Sequence, residues 1–175
     1  MNCFQELNCE NYTDINNEIL HYINKLNIVE KSTVFWNPLN VIEMSKSVPS
    51  FSKWAYDQKL KISTIALTVG KNDYPVRIHV DTPPARFKLS WPILNSNNSF
   101  NRWFKVISSN PKIEINSLGG TVYTDIADLE EICRRRVDFP AIIDAGIPHD
   151  VVFDGLVVQP RLGLQCQLFV EPTSL

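Results

Sequence analysis

The sequence is poor in the features that mark membrane, secreted or zinc-knuckle proteins. No apolar stretch approaches the roughly 20 residues that a membrane-spanning helix requires. The opening segment, MNCFQELNCENY, is polar and acidic, without the basic start and apolar run of a secretory leader. Four cysteines (Cys3, Cys9, Cys133 and Cys166) form no C-x-x-C pair and no zinc-ligand spacing. They suit small buried hydrophobes in a reducing, cytoplasmic compartment. Charge of neither sign dominates: 17 Lys and Arg stand against 19 Asp and Glu, a net charge of −2. A duplex nucleic-acid partner is therefore not expected, since that partner selects a basic excess. A nucleobase reached through a local basic patch stays open. Phosphate-binding glycine loops, nucleophile elbows and zinc-protease motifs are also missing.

What is present fits one domain over residues 1–175, with hydrophobic residues at 44% and charged residues at 21%. Helical patterning comes first. Ile15, Ile19, Tyr22, Ile23 and Leu26 share one face of a helix over 14–27, with Thr13 or Asp14 as its cap. A short helix is expected over 50–58, and Asn37-Pro38 and Val48-Pro49 mark breaks. From residue 61 the period changes to two. Strands are expected over 61–69, 76–81, 86–94 (with Pro92 making its end an edge or a bulge), 102–107, 140–144, 150–153 and 160–170. A hairpin is expected over 111–123 around Gly119-Gly120, and a short helix over 125–135 capped by Asp125. Closely spaced strands without alternating helices point to an antiparallel barrel or jelly roll over 61–172, buttressed by helices in 1–60.

The chemistry-bearing residues are few. His79 and Asp81 stand two apart on an expected strand, so their side chains share a face. An imidazole and a carboxylate side by side are ligand types of a two-histidine, one-carboxylate metal site with open positions. Of the three histidines, His21 lies in the first helix, whereas His149 lies at a strand edge after the turn DAGIP. In RLGLQCQLFV, Leu162, Leu164, Cys166, Leu168 and Val170 form one face, and Arg161, Gly163, Gln165 and Gln167 the other. A guanidinium there can take a carboxylate in a two-pronged contact, and Gly163 leaves room for a ligand. Arg134, Arg135 and Arg136 read as a charge run at a helix end, facing the dipole and solvent. Arg86, Arg102 and Trp103 fall near the expected barrel mouth, and Trp91 and Trp103 read as core or rim.

Taken in order, H-V-D (79–81), K-L-S-W-P-I-L-N (88–95), I-P-H-D-V (147–151) and P-R-L-G-L (160–164) resemble the Fe(II)/2-oxoglutarate-dependent oxygenases. The resemblance covers roughly residues 61–170. It is closest to small bacterial and phage members related to the prolyl and aspartyl/asparaginyl hydroxylases. It implies a mainly β, double-stranded β-helix (jelly-roll, cupin-like) core with the N-terminal helices packed on one sheet. It implies iron(II) held by His79, Asp81 and His149, with 2-oxoglutarate gripped by Arg161 and Ser90 facing the cosubstrate. The implied reaction is hydroxylation of an unactivated C–H by dioxygen, with release of succinate and carbon dioxide. The substrate stays open among a protein side chain, a small metabolite and a nucleobase. Two other classes compete: a jelly-roll binding module without turnover, and a cupin-like metalloenzyme that does not use 2-oxoglutarate.

Overall fold

A computed structural model describes residues 3–32, 35–70, 77–81, 86–116, 119–154 and 158–169. In chain order its strands are β1 (Phe4–Glu6), β2 (Trp36–Leu39), β3 (Ile62–Gly70), β4 (His79–Val80), β5 (Phe87–Leu94), β6 (Ser99–Val106), β7 (Ile113–Ile115), β8 (Thr121–Tyr123), β9 (Leu129–Arg136), β10 (Ala141–Asp144), β11 (His149–Phe153) and β12 (Arg161–Leu168). They form two six-stranded antiparallel sheets, ordered β1-β10-β5-β12-β3-β2 and β7-β8-β4-β11-β6-β9. The helices are α1 (Tyr12–Leu26), α2 (Ile28–Lys31), α3 (Val41–Ser47) and α4 (Pro49–Asp57). Val76, Val170 and the end of the expected core at 172 lie outside the described residues.

The helices pack on one sheet, as the sequence pattern implies, and the reason is the alternation in three strands. Ile65, Leu67 and Val69 of β3, Leu89, Trp91 and Ile93 of β5, and Leu162, Leu164 and Cys166 of β12 all point to one face of the first sheet. There they meet Ile15, Ile19, Tyr22 and Ile23 of α1, Met44 of α3, and Phe51, Trp54 and Ala55 of α4. This is the larger of two apolar clusters, so the main core lies between helices and sheet. The smaller cluster, Cys3, Trp103 and Ile143, joins β10 of the first sheet to β6 of the second.

Trp91 is the hub. It is fully buried, with the rings of Trp54, Phe51 and Tyr12 at 4.9, 5.2 and 5.4 Å. Its indole N–H donates to Asn16 Oδ1 at 3.2 Å. The next residue explains how a proline fits an interior strand. β10 pairs with β5 only through Ser90. Beyond that point α1 takes over: the Tyr12 hydroxyl donates to the Pro92 carbonyl at 2.5 Å, and Asn16 Nδ2 to the Ile93 carbonyl at 2.8 Å. On the other side, the β5–β12 register shifts between Leu162 and Gly163, opposite Leu94 and Pro92. Pro92 therefore marks a bulge in an interior strand and not a sheet edge.

Several expectations are corrected. Residues 125–135 are not a helix. Asp125 caps only a single 3-10 turn, Ile126–Asp128, by accepting from the Ala127 amide at 3.0 Å. LEEICRRR then extends as β9 along β6. Leu, Glu and Arg favour a helix in isolation, but the open edge of β6 offers a full ladder of backbone bonds, and pairing overrides propensity. Cys133 and Arg134–Arg136 are thus strand residues, with no helix dipole to face. The N-terminal part is not purely helical either, because β1 and β2 complete the edges of the first sheet. Asn37-Pro38 lies inside the edge strand β2, where proline is tolerated. Pro49, by contrast, starts α4, where its missing N–H is harmless. α1 begins earlier than expected, with Asn11 at the N-cap position but no side-chain capping bond, which leaves Thr13 and Asp14 in its first turn. Leu26 is 38% exposed and stands off the core.

Replacing Trp91 with alanine should lower the unfolding free energy by about 3–5 kcal/mol, the cost of a large aromatic lost from a packed core. Tyr12→Phe, which strands the Pro92 carbonyl, should lower it by about 1 kcal/mol. Urea denaturation followed by tryptophan fluorescence for Tyr12→Phe, and by circular dichroism for Trp91→Ala, checks both.

Candidate metal centre

The site starts from one register. β11 lies between β4 and β6, and His149 pairs directly with His79 of β4. The two imidazoles face each other across the pair, ring centroids 4.4 Å apart. Asp81 follows β4 and is anchored by its backbone amide donating to the Ala145 carbonyl at 3.0 Å. That contact ties it to the turn between β10 and β11, the same turn that delivers His149. Gly146 belongs to this turn: its amide donates to Asp144 Oδ1 at 2.9 Å, and a Cβ there would stand 2.7 Å from Arg86 Cγ.

One ligand atom from each of His79, Asp81 and His149 lies within 4.8 Å of the others. His79 Nε2 is 3.6 Å from Asp81 Oδ1, and His149 Nε2 is 3.9 Å from Asp81 Oδ2. Each histidine is oriented by its own chain: His79 Nδ1 bonds the Arg77 carbonyl at 2.8 Å, and His149 Nδ1 the Ile147 carbonyl at 2.9 Å. A carbonyl only accepts, so both Nδ1 atoms carry a proton, and Nε2 is in each ring the nitrogen turned toward Asp81. Burial, reinforced by the neighbouring His79, holds the His149 imidazole below its ordinary pKa against the opposing pull of Asp81. Asp81 Oδ2 is buried without a hydrogen-bond partner. Lys88 Nζ comes within 2.5 Å of that oxygen, an ion-pair contact outside hydrogen-bonding alignment. Two imidazole Nε2 atoms and a carboxylate converging at one point fit a divalent cation, provided Lys88 gives up its place beside Asp81, and the nitrogen–oxygen donor set suits a first-row metal.

The triad opens into a cavity of about 310 Å³ between the sheets. Arg161, Gln165 and Lys88 line it from the inward face of the first sheet, joined by Thr68, and Asn101 and Val151 from the second. Arg161 Nε donates to Ser99 Oγ at 3.1 Å, and its guanidinium lies 5.8 Å from the Phe153 ring centre. Among the described residues no carboxylate pairs with it. Burial draws its pKa down to about 10, so it remains a cation at neutral pH.

The sequence-derived residues therefore divide. His79, Asp81, His149 and Arg161 come together around one cavity. Ser90 is buried beside it, accepting from Gln165 Nε2 at 2.9 Å, and so reaches the cavity through Gln165. The space at Gly163 is not ligand space: a Cβ there would meet the Trp91 carbonyl at 3.2 Å and the Thr68 hydroxyl at 3.3 Å. Arg102 is engaged in a two-pronged contact with buried Asp150, at 2.9 and 2.5 Å. Arg86 bonds Asp144 at 3.3 Å, and Trp103 is core, its indole N–H donating to the Asp144 carbonyl. His21 is exposed on α1. Lys88 and Trp36 were not singled out by sequence reasoning. A signal for Lys88 existed: in FKLSW it alternates with Phe87 and Leu89 and so shares the inward face with Ser90.

Because His149 is held neutral, its imidazole resonances in the metal-free protein should still be those of the uncharged ring at pH 6. The sign of the linked stability follows: a depressed folded-state pKa means the unfolded chain binds the extra proton first. The contribution is full above the ordinary imidazole pKa of about 6.5 and is lost as pH falls below it. Heteronuclear NMR of the histidine rings, with urea midpoints at pH 7.5 and 5.5, checks both statements.

No model of a known protein family matches this chain, and no curated protein does.

Proposed function

We propose that the chain is an Fe(II)- and 2-oxoglutarate-dependent dioxygenase that hydroxylates an unactivated C–H, built on a double-stranded β-helix core. The observation that carries this reading is the pairing of two features in one cavity. One is the His79–Asp81–His149 cluster, one ligand atom of each lying within 4.8 Å of the others. The other is the Arg161 cation, without a carboxylate partner among the described residues. The fold supports it by connectivity. From β3 to β6 successive strands alternate between the two sheets, and β9 to β12 do the same in reverse order. That alternation is what a jelly roll wound from two antiparallel ribbons produces.

Each residue then has a task. His79 and His149 would supply Nε2 donors oriented by their Nδ1 bonds, and Asp81 the anionic donor, so that three side chains would hold the ion and leave it open to further ligands. Iron(II) bound there would supply the oxidising chemistry: dioxygen and 2-oxoglutarate are consumed, succinate and carbon dioxide are released, and one oxygen atom enters the substrate C–H bond. Arg161 takes the carboxylate of 2-oxoglutarate furthest from the metal in a charge-assisted contact. Gln165, held by Ser90, and Asn101 offer neutral polar contacts along the wall. Val151, Ile143 and Phe35 form apolar parts of the lining and limit water near the reacting centre. The cavity volume falls at the small end for ligand sites, enough for a five-carbon diacid and a limited part of a substrate.

Anaerobic titration with iron(II) and 2-oxoglutarate tests the reading. A weak visible charge-transfer band should appear only with both present and vanish in Asp81→Ala. Arg161→Gln should retain iron and weaken 2-oxoglutarate binding by roughly 100-fold, the loss of a charge-assisted pair. Iron bound without any response to 2-oxoglutarate would favour a cupin-like metalloenzyme. No metal binding would favour a binding module.

A further inference from the structure

Lys88 is the charged lining residue, among those described, that the proposed chemistry leaves unused. It projects from β5 to the inward face, is 7% exposed, and sits with Nζ 2.5 Å from Asp81 Oδ2 and 5.0 Å from the Trp36 ring centre. A buried ammonium is stable only where an anion or an aromatic face replaces water. Here both do, and the anion is the carboxylate of the metal cluster. The same oxygen, Asp81 Oδ2, faces His149 Nε2. Lys88 thus stands where a cation must stand for these three residues to converge without repulsion.

Resting on the metal-centre reading above, we propose that Lys88 is a displaceable internal counter-cation that couples metal binding to carboxylate binding in the cavity. A divalent ion at the cluster and an ammonium 2.5 Å from one of its ligand atoms repel each other strongly in a buried site. The lysine must leave Asp81 when metal enters. Its flexible stem permits this, but its charge then needs a new partner. Asp81 is the only carboxylate lining the cavity among the described residues. The replacement anion therefore comes from a ligand.

Charge counting agrees. Asp81 contributes −1, and Lys88 and Arg161 contribute +2 among the described lining residues. A divalent ion raises the cavity's excess, and a dicarboxylate lowers it again. Lys88 and Arg161 do not compete for one carboxylate group. Lys88 pairs in register with Gln167, while Arg161 begins the same strand. Six residues of extended chain separate their backbone positions by about 20 Å. Arg161 anchors one end of a diacid, and Lys88 accepts the carboxylate that arrives beside the metal.

Calorimetric titration with manganese(II), with and without 2-oxoglutarate, reads the coupling directly and needs no turnover. In the unaltered protein 2-oxoglutarate should tighten manganese binding roughly tenfold or more, within the usual range of coupling between sites. Lys88→Met should bind manganese alone roughly tenfold tighter than the unaltered protein, and 2-oxoglutarate should then tighten it by a smaller factor than in the unaltered protein. Lys88→Gln should behave alike, and in both variants manganese should raise the melting temperature more than in the unaltered protein. Unchanged or weaker manganese affinity in folded Lys88→Met and Lys88→Gln, with normal binding in the unaltered protein, overturns the role of Lys88 alone. Absence of manganese binding in all three proteins overturns the metal centre and this inference together.

Discussion

The antiparallel pairing of β4 with β11 is the constraint on which the rest of the site depends. Only His79 and His149 pair between these strands, yet that register places both imidazoles on the inward side. A slip of one residue would turn His149 to the opposite face and bring Asp150 inward. What prevents the slip is packing on both flanks. Asp150 is buried and held by Arg102 of β6, and Trp103, opposite His149, is locked by its bond to the Asp144 carbonyl. The hairpin of β7 and β8 secures β4 from the other side, with Val122 paired to His79. A two-residue strand is weak alone; between two partners it is fixed.

The first sheet shows why a polar cavity can exist inside a small protein. Its strands alternate between apolar and polar residues, a pattern usually read as core against solvent. Here the apolar face is covered by helices, and the polar face looks inward at the second sheet. The main hydrophobic stabilisation is therefore obtained outside the space between the sheets, around Trp91. The interior is free to hold Arg161, Lys88, Gln165 and Thr68, each with a partner: Ser99, Asp81 and Trp36, Ser90, and the Gly163 carbonyl. α1 does more than cover the sheet. Through Tyr12 and Asn16 it completes the hydrogen bonding of β5 where β10 ends, so the floor of the cavity and the core beneath it share one strand.

Much of this was legible in the sequence because period-two alternation is a local property. The strands containing Leu89 and Trp91, Leu162 and Leu164, and the face shared by Arg161 and Gln165 could be read from spacing alone. His79 and Asp81 could be paired for the same reason. Their union with His149 could not be derived that way, since it depends on a long-range register; only the place of His149 at a strand edge pointed to it. The failures have a common cause. LEEICRRR has helical composition and became a strand because β6 offered an open edge. Asn37-Pro38 looked like a break and became an edge strand beside β3. Gly163 looked like room for a ligand, but neighbouring strands fill that room. In each case a partner distant in sequence decided the outcome, and no local pattern encodes that partner.

The three cluster residues are also held in unequal ways. His79 and His149 are each oriented by a carbonyl two residues earlier in their own chain, so their tautomers follow from local backbone geometry. Any change that preserves the two short segments preserves the two nitrogen donors. Asp81 has no such local clamp: its backbone is tied to Ala145, and its side chain faces both histidines and Lys88. The carboxylate is therefore the cluster member whose environment responds to what else is in the cavity. The histidines are fixed by local backbone geometry, while Asp81 is shared between both imidazoles and the Lys88 ammonium.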